Sequence, residues 1–327
     1  MTTVLITGGA GFMGSNFVRY VLSHYPDYIV VNFDALTYAG NLENLRDIES
    51  EGRYHFVKGD ITDDKAVNQV FETYRPSVVI NFAAETHVDR SILGPKAFIL
   101  TDVIGTYTLL EACKHHGIDR YVQISTDEVY GSIKEGKFTE ESPFQPNSPY
   151  SASKAGGDHL VRAYHKTYAI PVIQTHSCNV FGPYQYPEKF IPLFSTNLIE
   201  NKKVPLYGDG SNVREWIFLE DYCRAVDLIW HQGLVGENYN IGTGWEKSNK
   251  EVMFALLALF GKGEEMVEHV EDRLGHDWRY AVEAEKLMAL GWKPSASFEE
   301  RLRETVDWYK NNSEWWRPLK EADEHIS

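Results

Sequence analysis

Ser125-Thr126-Asp127-Glu128-Val129-Tyr130-Gly131, followed by Tyr150-Ser-Ala-Ser-Lys154, sets a hydroxyl, two adjacent carboxylates, a phenol and an ammonium close together in the chain. On a helix, Tyr150 and Lys154 stand one turn apart on the same face. An ammonium beside a phenol lowers its pKa below the ordinary value of about 10, so Tyr150 could act as a base on an alcohol near neutral pH. Ser148 and Pro149 put Tyr150 in the first turn of that helix, where the helix dipole also favours phenolate. Removing a hydride from an alcohol needs such a base. The Asp127–Glu128 pair implies a second chemistry, since one acid and one base exceed what an oxidation requires.

A hydride acceptor would have to be held nearby. Thr7-Gly8-Gly9-Ala10-Gly11-Phe12-Met13-Gly14 follows a strand-like run and opens a helix near Gly11. Glycines there allow a tight turn, close approach to a pyrophosphate and close helix–strand packing, and the helix N-terminus attracts phosphate. Asp34 ends the next strand about 20 residues further on. It would accept hydrogen bonds from an adenosine ribose and repel a 2′-phosphate, which favours NAD over NADP. Asp60 and Ile61, after the third strand, are expected at the adenine.

These groups need a scaffold, and the pattern supplies one. Val4–Thr7, Tyr28–Phe33, Tyr54–Val57, Val78–Phe82, Tyr121–Ser125 and Val172–Thr175 are short, β-branched or aromatic runs. Helical spacing lies between them, as in 63–73 and 97–114. Alternating strands and helices predict an α/β fold, a Rossmann-type doubly wound parallel sheet. After Phe181 the pattern changes to loops, turns and two helical stretches (250–260 and 296–310) near a Trp-rich end. The expected organisation is an NAD-binding domain over 1–180 with a returning segment near 213–245, which includes a strand at Asn238–Ile241. Residues 181–327 form mainly a smaller, mostly helical substrate-binding lobe.

The bulk properties exclude other classes. The 327 residues are 43% hydrophobic with a formal net charge of −15, which argues against nucleic acid as a partner. A nucleotide diphosphate can still be held by a few local Arg and Lys residues. The three cysteines, Cys113, Cys178 and Cys223, show no metal or disulfide spacing and point to a reducing cytoplasm. His87, His115 and His116 have no metal-ligand arrangement. No apolar run is long enough to span a bilayer, and no membrane association is expected.

The motifs resemble those of the extended short-chain dehydrogenase/reductases and, more closely, the dTDP-glucose 4,6-dehydratases. The matching segments are Leu36–Leu42, Ala83–Ser91, Ser125–Gly131, Ser148–Lys154, Gly182–Lys189 and Asp272–Asp277, which run in order through nearly the whole chain. The resemblance implies a lyase that oxidises C4 of a hexose, removes water across C5 and C6, and returns the hydride to C6. Tyr150 would take the 4-hydroxyl proton, with Thr126 bonded to that hydroxyl and Lys154 also on the nicotinamide ribose. Glu128 would take the C5 proton, which the C4 ketone acidifies, and protonated Asp127 would release the C6 hydroxyl. UDP-glucuronate decarboxylases usually have Ser at the position of Asp127, because no hydroxyl leaves.

On the cofactor side the resemblance implies Gly8, Gly11, Phe12, Met13, Gly14, Asp34, Ala35, Leu36, Thr37, Asp60, Ile61, Ala83, Ala84, Thr101, Ser125, Tyr150 and Lys154. On the substrate side it implies Thr86, Thr126, Asn179, Lys189, Phe190, Pro205, Tyr207, Arg214, Asn249, Arg273 and His276. It also implies a homodimer through the helices near 97–115 and 150–168. Asn179-Val180-Phe181-Gly182 replaces the usual Asn-Asn-Tyr-Gly, and Thr86 stands where Ser is usual. A UDP-N-acetylglucosamine 4,6-dehydratase is therefore an alternative. A C4 epimerase and a non-catalytic NAD-sensing protein remain further readings.

Overall fold

Runs of Val, Ile and aromatic residues form strands here because helices cover both faces of the sheet they build. The computed structural model describes residues 2–272 and 277–324. Its first half alternates β1 (Thr2–Thr7), α1 (Phe12–His24), β2 (Tyr28–Asp34), β3 (Tyr54–Lys58), α2 (Asp64–Tyr74) and β4 (Val78–Asn81). A helical run follows: α3 (Val88–Leu93), α4 (Pro95–Phe98), a π-helical stretch at Ile99–Gly105, and α5 (Thr106–His116). Next come β5 (Arg120–Thr126), α6 (Pro149–Tyr168) and β6 (Val172–Ser177).

The smaller lobe contributes β7 (Asn179–Phe181), α7 (Phe190–Ile199), β8 (Val204–Tyr207) and β9 (Val213–Phe218). Then α8 (Leu219–Gln232) and β10 (Asn238–Ile241) return to the large sheet. The chain continues through β11 (Glu246–Ser248), α9 (Asn249–Leu259), β12 (Val267–Val270), α10 (Glu285–Ala289), α11 (Phe298–Asn311) and α12 (Ser313–Glu324).

The large sheet is parallel throughout, in the order β10-β6-β5-β4-β1-β2-β3. The chain leaves β1 in one direction along the sheet and returns to its other side at β4, which makes a crevice at the C-terminal ends of those strands. Phe17 and Val21 of α1 pack with Ile229 and Trp230 of α8 on one face. Phe71 of α2, Leu109 of α5 and Val161 of α6 cover the other. The smaller lobe has its own core around Phe181, Phe194, Trp216, Leu256 and Phe298. It carries a three-stranded sheet, β11-β9-β7, and a pair, β12-β8. Residues 213–245 are thus shared, with β9 in the small lobe's sheet and β10 in the large one.

Candidate active site

The strand ends open into a cavity of about 330 Å³. At its floor, Gly8 has φ +66°, and an added Cβ would sit 2.6 Å from the Ala83 amide nitrogen. A Cβ on Gly14 would run into the Gly8 carbonyl oxygen, so only glycines let β1, β4 and α1 meet this closely. Gly11 caps α1 without a side chain, and the first turn holds no acid. Those amides and the dipole therefore favour an anionic ligand. Asp34 accepts the amides of Ala10 and Leu36, both at 2.8 Å, and burial raises its carboxyl above the usual range. Each of its oxygens keeps a second lone pair. A glycine cradle, an open helix end and a fixed acceptor fit a dinucleotide.

Of the cofactor residues expected from sequence, Gly8, Gly11, Phe12, Met13, Gly14, Asp34, Ala35, Thr37, Asp60, Ile61, Ala83, Ala84, Thr101 and Ser125 line this cavity. Leu36 does not. Its φ of +54° turns the chain there, and its side chain packs against the core.

The reactive groups meet on the opposite wall. At the end of β5 the chain turns through one 3-10 turn, Asp127–Tyr130, whose Glu128 amide donates to Thr126 Oγ1 at 3.2 Å. Asp127 is only 2% exposed. Its Oδ1 accepts from Thr126 at 3.3 Å, whereas Oδ2 is buried without a hydrogen-bond partner among the described residues. Burial first, and the Glu128 charge second, raise its carboxyl well above the usual range. The capping box of Ser148 and Ser151, with Pro149 in the first turn, starts α6 where it places Tyr150 beside Thr126. Thr126 is near enough there to pull the Tyr150 phenol down.

The electrostatics of Tyr150 run opposite to the sequence expectation. Burial, followed by the charges of Glu128, Asp102 and Asp127, raises the phenol well above 10. The Lys154 side chain, 5% exposed, donates from Nζ to the Ile124 carbonyl at 2.9 Å. Two of the opposing carboxylates are themselves driven toward the neutral form. Asp102 is pushed up to about 6 by burial, against the pull of Lys154 and the Ser153 hydroxyl, which donates to it at 2.6 Å.

Asp102 was not visible from sequence, since it reaches α6 from the π-helical stretch. Neither was Asp158, which accepts the Ser125 hydroxyl at 2.6 Å and contacts buried His176 at 3.3 Å. Among the described residues, no cluster of His, Cys, Asp or Glu is placed to hold a metal ion.

Thr86, Asn179 and Lys189 line the cavity mouth. There Tyr38 donates to the Thr86 carbonyl at 2.6 Å and to Glu188 at 3.1 Å, with the Arg90 guanidinium over its ring at 3.8 Å. Glu188 also pairs with Arg90 and Lys189. Phe190 is not on the wall; its ring packs at a tilt against Phe194 and Trp216 at the small lobe's core. Pro205 and Tyr207 on β8, Arg214 on β9 and Asn249 on α9 also lie off the wall. They group on the small lobe, where Arg214 donates to the Asp277 carbonyl at 3.1 Å and lies over Tyr280. The Asn249 amide donates to Asn212. Arg273 and His276 lie outside the described residues.

Comparison with known proteins agrees with this geometry. The GDP-mannose 4,6 dehydratase family model matches residues 5–305. The low-salt glycan biosynthesis protein Agl12 of Haloferax volcanii is 52% identical over 95% of this chain and 99% of its own. A dTDP-glucose 4,6-dehydratase of Xanthomonas campestris pv. campestris is 49% identical over 96% of this chain and 95% of its own. The crystal structure of DesIV, a dTDP-glucose 4,6-dehydratase from Streptomyces venezuelae with NAD and TYD bound, superposes with a TM-score of 0.94. It is 49% identical and covers 97% of this chain and 100% of that one. The chain belongs to the nucleotide-sugar 4,6-dehydratase family, that of the GDP-mannose 4,6 dehydratase model and the dTDP-glucose 4,6-dehydratases.

Proposed function

We propose that this protein is an NAD-dependent hydro-lyase that converts dTDP-glucose to dTDP-4-keto-6-deoxyglucose. One observation carries the reading: Asp127, buried and poised to hold a proton, stands beside Glu128 on the wall that also carries Tyr150. An epimerase has no use for that acid. Bound NAD supplies the hydride acceptor for C4 and later the donor for C6, held by the Gly8–Gly14 loop and Asp34.

The remaining steps belong to side chains. Tyr150 accepts the 4-hydroxyl proton, with Thr126 bonded to the same oxygen. The resulting ketone acidifies C5, whose proton passes to Glu128. Asp127 gives its proton to the departing 6-hydroxyl, and a proton returns to C5 once C6 is reduced. Lys154 fixes the end of β5 through the Ile124 carbonyl.

The test is a substrate panel. Purified protein with dTDP-glucose should give a product lighter by one water, while UDP-N-acetylglucosamine and UDP-glucose react at least about tenfold more slowly, the ratio that about 1.4 kcal/mol of discrimination provides. Faster reaction of UDP-N-acetylglucosamine would transfer the assignment to that sugar. An isomer of unchanged mass would remove the dehydratase reading.

Three buried free cysteines support a cytoplasmic setting; no described helix is long and apolar enough to cross a membrane. It acts as a homodimer. Leu93, 89% exposed, and Ile99, Leu100, Ile104 and Tyr107 give α3–α5 an apolar outer face that a second copy would cover, extended by Tyr168 on α6. A Leu93→Asp, Ile104→Asp double variant should elute as a monomer from size exclusion with light scattering. An unchanged mass would exclude this face.

A further inference from the structure

The C-terminal helix closes on the cofactor side of the cavity. Trp315 and Leu319 of α12 line the same cavity as the glycine loop. Trp315 Nε1 donates to Asn44 Oδ1 at 2.9 Å. Asn44, 2% exposed on the 3-10 turn Leu42–Ile48, donates in turn to the Ala10 carbonyl at 2.9 Å. One chain of hydrogen bonds thus runs from α12 into the loop that would face the pyrophosphate.

The same indole packs edge-on against Tyr184, with ring centres 5.5 Å apart, and against Trp308 of α11 at 5.2 Å. Tyr184 belongs to the Gly182–Pro187 loop, another wall of the cavity, and carries the Arg19 guanidinium of α1 at 4.4 Å. Arg19 also donates to the Asn44 carbonyl. The helix itself is well seated: Trp316 is fully buried and donates to the Tyr309 carbonyl, and Lys320 reaches Asn197 of α7 and Glu200 just after it. Walls drawn from both lobes converge on one side chain.

We infer that Trp315 is a positioning residue that clasps the dinucleotide loop and retains the cofactor between oxidation at C4 and reduction at C6. The inference rests on the function proposed above, in which the same cofactor molecule must stay bound through both steps. Release of the reduced form midway would strand a 4-keto sugar.

The experiment loads the purified full-length protein with radiolabelled NAD, chases with excess unlabelled NAD, and follows label retained on a filter. Trp315→Ala should release label at least about tenfold faster than wild type, equivalent to about 1.4 kcal/mol. Trp315→Phe, which keeps a ring but loses the indole donor, should fall between. During turnover of dTDP-glucose, Trp315→Ala should also leak reduced cofactor to a soluble NADH-consuming trap, leaving oxidised sugar that lacks the hydride for C6. Wild-type release rates in both variants overturn the clasp alone. A wild-type protein that holds no NAD overturns the proposed function and the clasp together. Where Trp315→Ala does not fold, Trp315→Phe decides by the same readout.

Discussion

Asp127→Asn should separate oxidation from elimination and stabilise the fold at the same time. Positioned general acids contribute ~10²–10⁴-fold, so water loss should slow by about that factor. C4 oxidation, which does not use this proton, should persist, and reduced nicotinamide absorbance should then build up on mixing with dTDP-glucose and persist. The stability effect follows from the raised carboxyl. In the unfolded chain Asp127 ionises near the ordinary aspartate value of 3.8, whereas the fold holds the proton to higher pH. The native state then binds more protons, so the contribution of Asp127 to stability is fully present below about 3.8 and is lost as pH rises toward the folded value. Asn cannot ionise. The Tm of Asp127→Asn should therefore rise relative to wild type, and the gap should widen from acid to neutral pH. A constant or negative gap by differential scanning calorimetry would show that the carboxyl ionises freely in the fold. The burial that makes Asp127 an acid at neutral pH costs the fold stability, a trade between function and stability at one residue.

The large sheet was readable because each strand states its own case. Val78–Asn81 and Tyr28–Asp34 are short β-branched runs with helical spacing between them, and a parallel sheet buried on both faces demands such runs. Asn238–Ile241 was read as a strand for the same reason. The small lobe's strands carry no such mark. Glu246–Ser248 is three polar residues that become a strand only because Lys247 pairs opposite Arg214 of β9. α12 was hidden by Pro318, which reads as a helix breaker. Here the apolar stripe of Trp315, Trp316 and Leu319 holds the helix against α11 and the cavity despite the missing amide.

The site divides along the same line. Gly8–Gly14, Asp34 and Asp127–Glu128 are local motifs, and their spacing survives any reading of the fold. Asp102, Asp158, His176 and Trp315 act across elements far apart in sequence, so no window of the chain holds them together. Arg214 and Asn249, expected at the substrate by resemblance, stand on β9 and α9, and Arg214 is near enough to Asp127 to pull its carboxyl down. The sign of the Tyr150 shift was the most instructive miss. A rule about neighbours at one helical turn gives the pair Tyr150–Lys154. It cannot see that burial, and three carboxylates from the turn after β5 (Asp127 and Glu128) and from the π-helical stretch (Asp102), act on the phenol.

That miss shapes what Tyr150→Phe should do. The substitution removes one oxygen and keeps the ring, including its edge-on contact with Phe98 at 6.2 Å, so the fold and the nucleotide-sugar site should persist. C4 oxidation should fall by about 10²–10⁴-fold, seen as loss of the burst of reduced nicotinamide, while dTDP retention by equilibrium dialysis stays at the wild-type level. In wild type, the raised phenol means that only a small fraction is ionised at neutral pH. The ionised fraction grows about tenfold per pH unit while pH stays below the pKa. kcat/KM for oxidation should therefore climb through the neutral and mildly alkaline range, since it reports the free enzyme, and Tyr150→Phe should flatten that climb. Asp102→Asn provides the control on cause. Removing one of the charges that raise the phenol should move the wild-type climb to lower pH without flattening it, whereas a purely structural role for Asp102 would lower the rate at every pH alike. A climb unchanged in Tyr150→Phe would assign the base to another group, with Glu128 a candidate on the same wall.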